Sequence, residues 1–385
     1  MLEVLNLGNN NLYDTFPLRL GKLPWLVVLI LRANRFYGPI KHVKIYFQDL
    51  DVLDIAFNNF SGQLPIEFFQ VSQLRSLIIN GNKLEGKLPK SIANCRNLEV
   101  LDLGKNIIQD AFPFWLVKLP SLKVLVLRAN RFYGPIKISK DENTFPELHM
   151  LDLASNNLSG FEIFYEKILT IFVCLDLSNN NFHWRIPEEI QNLKSLKVLN
   201  LSYNSILGPI PLAHGNLTEL ESLDLSQNKL SGKIPLQLTS LTFLAVLNLS
   251  CNQLEGSIPQ SYQFNAFSND SYKGNPRLCG LHLTRKFNEV GLGMPPSKKD
   301  GDSWVDGISD WKIVLIGYGC GLVIGLSVGY TMLNELRNKW MARIAVSSST
   351  LPLPQQKLCL NVFFLVLRWC FTAELWGSPA VHPIV

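Results

Sequence analysis

The sequence predicts an α/β solenoid followed by one transmembrane α-helix. Three observations carry this: a leucine pattern that returns every 24 residues, strict apolar alternation inside each copy, and one uncharged stretch of 21 residues toward the C-terminal end. Composition allows it, because 47% of the 385 residues are hydrophobic and 17% charged, enough apolar material for a large core and too little charge for a disordered chain. The balance of 36 Lys and Arg against 31 Asp and Glu leaves a net charge of +5, too small to indicate a nucleic-acid partner. Seven cysteines are scattered without a CxxC pair, so neither a zinc site nor a disulfide framework is indicated and apolar packing must hold the fold.

The first element is the repeat. L-x-x-L-x-L-x-x-N-x-L appears at Leu2, Leu5, Leu7, Asn10 and Leu12, and again at Leu26, Leu29, Leu31, Asn34 and Phe36. Its asparagine recurs at Asn10, Asn34, Asn58, Asn82, Asn106, Asn130, Asn156, Asn180, Asn204, Asn228 and Asn252, always 24 apart except for one step of 26. Within each of the eleven copies the leucines alternate with period two, which is the signature of a short strand with one apolar face. One strand cannot bury its leucines alone, whereas stacked copies can. The expected product is a parallel stack with strands roughly 4.8 Å apart and roughly 50 Å long. An inward asparagine amide, with two donors and an acceptor, would satisfy backbone groups of its own and the adjacent coil, forming a ladder from Asn10 to Asn252. A longer periodicity lies above this one: residues 2–40 and 98–136 match at about two-thirds of positions, including RANRFYGPI twice, as a tandem duplication of four copies would leave them.

The membrane element follows. Residues 313–333 carry no charge and, at 1.5 Å per residue, cover roughly 31 Å, the thickness of a bilayer core. Asp300, Asp302, Asp306 and Asp310 precede it and Arg337, Lys339 and Arg343 follow, so the positive-inside rule predicts a single-pass type I chain with its repeats outside. Gly317, Gly321, Gly325 and Gly329 form one helical stripe, a candidate contact for a partner transmembrane helix. Six N-x-S/T sequons, at Asn59, Asn157, Asn200, Asn216, Asn248 and Asn269, agree with an extracellular placement, although the L-x-L-N-L-S consensus produces two of them automatically.

Catalytic chemistry is not indicated. Gly325-Leu326-Ser327-Val328-Gly329 spells G-x-S-x-G but lies in the apolar run, not at a strand-turn-helix junction, and the six histidines show no metal-ligand spacing. No cofactor is expected. The solvent-facing strand positions, expected to line the concave surface, are the candidate ligand contacts: Arg32 and Arg128, with Asp54, Asp102, Asp152, Asp176 and Asp224 at the centre of L-x-L.

Several copies close with L-x-G-x-I/L-P, as in Leu84, Gly86, Leu88, Pro89 and in Leu230, Gly232, Ile234, Pro235. This resembles the plant extracellular leucine-rich repeat, in which the glycine permits a turn and the I/L-P pair starts a second short strand. The stretch from Leu244 to Arg343, with the GNPRLCGL segment, the acidic linker and the apolar run, resembles plant receptor-like proteins of the Cf disease-resistance type, and the likeness spans roughly residues 1–343. The resemblance implies a right-handed superhelix, parallel strands on its concave side and 3-10 or irregular segments on its convex side. It implies leucine-rich repeats over 1–264, a C-terminal cap over 265–290, a juxtamembrane linker over 291–312, the membrane helix over 313–333 and a cytoplasmic tail over 334–385. A non-catalytic plasma-membrane receptor is thus expected, recognising a peptide or protein and acting through leucine-rich-repeat receptor kinases as adaptor and co-receptor, with no nucleic acid involved.

The chain also departs from the family pattern. Met1 opens directly on a repeat with no apolar leader, as a truncated copy would; Phe287 stands where a second cap cysteine is expected, leaving Cys279 without its partner; and residues 344–385 do not resemble the family's tail. Two other readings stay open: a repeat inhibitor of cell-wall-degrading enzymes, and a gene product without activity.

Overall fold

The computed structural model describes residues 2–23, 25–40, 49–65, 73–138, 145–163, 172–261 and 263–280. The chain divides into two compact units, Met1–Leu292 and Gly293–Val385, and every described residue belongs to the first. The linker, the candidate membrane helix with its glycine stripe, and the tail lie outside the described residues. Among the described residues no helix is long and apolar enough to cross a membrane.

Each of the eleven copies contributes one three-residue strand to a single parallel sheet, from Val4–Asn6 through Val124–Val126 to Val246–Asn248. Register is one copy per step, Val4 opposite Val28 and Val28 opposite Val52, and the 26-residue copy keeps it, with Val124 opposite Met150. Central leucines such as Leu29, Leu101, Leu125, Leu199 and Leu223 are fully buried, so the period-two pattern sets which face becomes the core.

Immediately after each strand the chain turns through one left-handed residue. It is Asn9, Ala33, Phe57, Gly81, Lys105, Ala129, Ser155, Asn179, Tyr203, Gln227 or Cys251, each just before the repeat asparagine. Ten of these eleven are not glycine and therefore carry strain. The asparagine supplies the compensation. Asn58 Nδ2 donates to Leu31 O of the preceding coil at 3.0 Å and to Ile55 O and Ala56 O of its own at 3.1 and 3.2 Å, while its Oδ1 accepts from Phe36 N at 3.1 Å. The same offsets recur at Asn82, Asn106, Asn130, Asn180, Asn204, Asn228 and Asn252. The ladder runs one rung beyond the sequence expectation: Asn275 donates to Leu249 O and Tyr272 O, both at 2.9 Å, and accepts from Leu254 N at 3.0 Å. The cap residues thus continue the stack.

Second strands form on the flank, and here the expectation is corrected. They lie ahead of the I/L-P pair, as in Asn59–Gln63, Lys83–Gly86, Lys229–Lys233 and Gln253–Ser257, and not after it. The glycine sits inside the strand at positive φ, 78° at Gly86, where an added Cβ would come within 2.7 Å of the Gln63 side chain. The proline instead opens the next element. Pro17, Pro89, Pro113, Pro187, Pro211 and Pro235 each immediately precede a five-residue 3-10 helix, with φ between −79° and −60°, where a missing N–H costs nothing. These short helices stack: Ile190, His214 and Leu238 hold equivalent, buried positions in three successive coils. His214 is the polar exception in that column. Among the described residues neither buried ring nitrogen makes a well-formed hydrogen bond, and burial pushes its pKa down to about 4 against a pull from the Pro211 backbone. Beside it, an added Cβ on Gly215 would stand 2.5 Å from Gln237 O, a close approach only glycine allows.

Candidate ligand-recognition face

The face of the large sheet opposite the leucines was expected to present its side chains to solvent. At the ends it does so in part: Val28–Ile30, Val198–Asn200 and Ser222–Asp224 alternate buried and half-exposed residues. In the middle four strands, Val100–Asp102, Val124–Val126, Met150–Asp152 and Cys174–Asp176, every residue is buried.

The five aspartates are corrected accordingly. Asp54, Asp102, Asp152 and Asp176 are buried and Asp224 is half-buried, so these carboxylates are not freely solvated contacts. Alternation misplaced them because it ignores what the side chain bonds to. Each Oδ1 accepts from the backbone N–H two residues ahead: Ala56 at 3.1 Å, Gly104 and Ala154 at 3.0 Å, Ser178 and Ser226 at 2.9 Å. That N–H lies where the chain leaves the strand, and an Asp or Asn one turn back satisfies it. Asn200 and Asn248 hold the same position and make the same bond, to Ser202 N at 3.1 Å and Ser250 N at 3.2 Å.

Burial raises the pKa of these carboxyls. Asp102 is pushed up to about 7, and Asp152 well above the usual carboxylate range, with Asp176 beside it adding repulsion and the Arg128 guanidinium opposing both effects. Asp176 and Asp224 are also raised by burial, against the pull of their serine and asparagine partners.

The arginines come together with the aspartates, a pairing the sequence did not reveal. Arg32 Nη1 lies 3.4 Å from Asp54 Oδ2, and Arg128 Nη1 lies 3.5 Å from Asp152 Oδ2, each reaching to the following strand. The two halves of the duplication therefore present the same pair twice. In both, the arginine stem crosses a glycine of the preceding coil: an added Cβ would sit 3.0 Å from Arg32 Cγ at Gly8 and 3.1 Å from Arg128 Cγ at Gly104. Arg32 also stands over the Phe57 ring, 6.0 Å from its centroid.

A further column was missed. The residue just before the strand forms a rail that alternates in charge over four successive coils, Asp51, Arg75, Glu99 and Lys123, with Arg75 2.7 Å from Asp51 and Lys123 2.8 Å from Glu99, and again where Lys197 pairs with Glu221. Asp51, Arg75 and Glu99, with Asp49, Gln73 and Asn97, line an open depression of about 460 Å³. The signal was present as opposite charges 24 apart, but repeat matching discards the variable positions. Of the six sequons, Asn59, Asn157, Asn216 and Asn269 are exposed, whereas Asn200 and Asn248 are half-buried on the sheet, their amides donating to Asp176 and Asp224 at 3.3 Å. Among the described residues no group of three or more His, Cys, Asp or Glu is placed to hold a metal, and Cys95, Cys174, Cys251 and Cys279 form no disulfide.

The Leucine rich repeat family matches residues 72–132, and its single-copy form matches 1–23, 172–193, 195–217, 219–241 and 243–264. The chain is 46% identical over 256 residues to Receptor-like protein 9DC3 and 47% identical over 256 residues to Receptor-like protein Cf-9, both of Solanum pimpinellifolium; each alignment covers 54% of this chain and 30% of the relative. Over the matched residues the chain is a leucine-rich-repeat protein similar to the plant receptor-like proteins. It spans under a third of the length of the curated relatives it matches. Among solved structures it superposes on the Arabidopsis receptor kinase HAESA, crystallised with the peptide hormone IDA and the co-receptor SERK1, at a TM-score of 0.64 and 34% identity, covering 74% of this chain and 47% of that one.

Proposed function

We propose that the receptor-like chain is a non-catalytic cell-surface sensor that recognises a peptide or protein on the sheet face opposite its leucines and signals through a partner receptor kinase, in plant defence. The observation that carries this reading is a continuous eleven-stranded face in a chain 47% identical over 256 residues to Cf-9. The HAESA ectodomain, with its peptide hormone and co-receptor, supports both kinds of partner. Arg32 and Arg128, each held by its aspartate, Asp54 and Asp152, are the side chains assigned to the ligand, because the arginine side chains keep 28% and 35% exposure. Asp102, Asp176 and Asp224 serve the turn first and the ligand second. Residues 313–333 are assigned to a single span in the plasma membrane, with the repeats outside, the exposed sequons glycosylated, and Gly317, Gly321, Gly325 and Gly329 against the kinase's own span.

The test uses the full chain in plant cells. Gly321→Leu combined with Gly325→Leu should cut co-purification of receptor kinases at least fivefold while surface labelling of the repeats stays constant. Unchanged recovery would remove the glycine stripe from the account, and repeats shielded from external protease on intact cells would remove the receptor reading.

A further inference from the structure

The flank built by the second strands is unevenly charged. In Asn59–Gln63 the first and last residues point outward while Phe60 is fully buried, so the positions one and five after each ladder asparagine project from the flank. The first of these columns contains Arg35, Lys83, Arg131 and Lys229, and the second Lys87, Arg185 and Lys233; over the eleven coils neither contains an Asp or Glu. All seven cations are exposed, and none forms an ion pair among the described residues. The rail on the large sheet is the opposite case, where Asp51, Glu99 and Glu221 neutralise their basic neighbours.

Arg35, Lys83 and Arg131 recur at every second coil, roughly 10 Å apart along the stack. The positions around them are mostly neutral hydrogen-bonding groups, Asn59, Ser61, Gln63 and Gln109, with Glu85 the one carboxylate among them, between Lys83 and Lys87, so the flank keeps a net positive charge. Three exposed tyrosine rings lie in the column between: Tyr13 and Tyr37, stacked with their centroids 4.6 Å apart, and Tyr133, four coils and roughly 19 Å beyond Tyr37.

We propose that this flank binds a linear acidic polysaccharide, a polymer of uronic acids lying across the coils. Carboxylates repeated along an extended chain meet cations repeated along an extended stack, so the attraction adds over many weak contacts. Amide and hydroxyl side chains between the cations suit sugar hydroxyls, and the tyrosine faces suit the apolar face of a pyranose ring. A single-stranded nucleic acid fits less well, because successive bases need separate aromatic platforms at short intervals, whereas Tyr13 and Tyr37 are stacked on each other and the next ring, Tyr133, stands four coils beyond Tyr37. The site is separate from the sheet face assigned to the peptide, and it does not rest on that assignment. Asn59 stands in the same column between Arg35 and Lys83, so a glycan attached there would lie across the path of the polymer.

The full chain in neutral detergent is applied to immobilised polygalacturonate, to its fully methyl-esterified form and to single-stranded DNA of matched charge. The expected result is retention on polygalacturonate, released by salt, and little on the ester. Lys83→Glu with Lys87→Glu and Arg131→Glu should weaken binding at least tenfold with an unchanged circular dichroism spectrum. If that variant misfolds, Lys83→Gln with Lys87→Gln should weaken it at least threefold. Asn59→Gln should bind as tightly as the parent or more so. Equal retention on the ester, tighter binding to the DNA, variants that bind like the parent, or a weakened Asn59→Gln would each overturn the proposal.

Discussion

Asn106 shows what a single amide does in this stack. Its Nδ2 donates to Ile79 O, Leu103 O and Gly104 O at 3.0 to 3.2 Å and its Oδ1 accepts from Leu84 N at 3.0 Å, all inside the core. Asn106→Ala removes the side-chain partner of Ile79 O, Leu103 O and Leu84 N, while Gly104 O keeps its bond from Gly81 N; at about 1 kcal/mol each, a loss of about 3 kcal/mol in denaturant-derived stability is expected. His214 gives a signed pH effect. It is neutral and buried in the folded chain with a pKa of about 4, against 6.5 when unfolded, so between those values the unfolded chain binds more protons. Stability from this residue is intact above pH 6.5 and is lost as pH falls toward 4, by about 3 kcal/mol at the limit. His214→Leu, which restores the apolar column of Ile190 and Leu238, should raise the melting temperature and flatten its decline below pH 6.5; a decline as steep as the parent's would show that other groups control it. The aspartates are the residues least legible in the sequence. A carboxylate in an alternating strand reads as solvent-facing, and nothing in the alternation reveals that Asp102 turns back onto Gly104 N.

At the scale of the element, the strands and the ladder could be read from spacing because both rest on one-residue-type positions with a fixed period. What repeat matching missed has physical reasons. The left-handed residue before each asparagine is Ala33, Phe57, Lys105 or Tyr203 in different coils, so conformation there is imposed by the surrounding hydrogen bonds and not by residue type. Asn275 escaped because its step from Asn252 is 23 and no L-x-x-L-x-L precedes it, although its amide makes the same contacts. The proline was recognised and its element misassigned: a residue without an N–H fits the opening of a short helix as well as the edge of a strand, and the helical option wins because Pro89 leads into Lys90–Asn94 against Phe114–Lys118 of the next coil.

For the whole molecule, stability should be a sum of coils and their shared surfaces, with little long-range coupling. The duplication offers a clean test. Removing residues 33–128 joins Arg32 to Ala129 and reproduces the native Arg-Ala-Asn-Arg sequence, with seven of the eleven strands left in register. The shortened chain should still fold cooperatively, and its denaturant m-value should fall by roughly a third with the surface it no longer buries. Loss of the far-ultraviolet strand signal would mean that the copies are not interchangeable.

The coil between Asn130 and Asn156 has two residues more than the others, yet Val124 remains opposite Met150 and Phe132 N still bonds Asn156 Oδ1 at 3.0 Å. The surplus leaves both the register of the large sheet and the asparagine ladder undisturbed. New material can therefore be spliced into the rim of such a protein without disturbing the surface it shows to a visitor, and lineages of these chains are free to lengthen, decorate or trim their backs while what they grip stays the same.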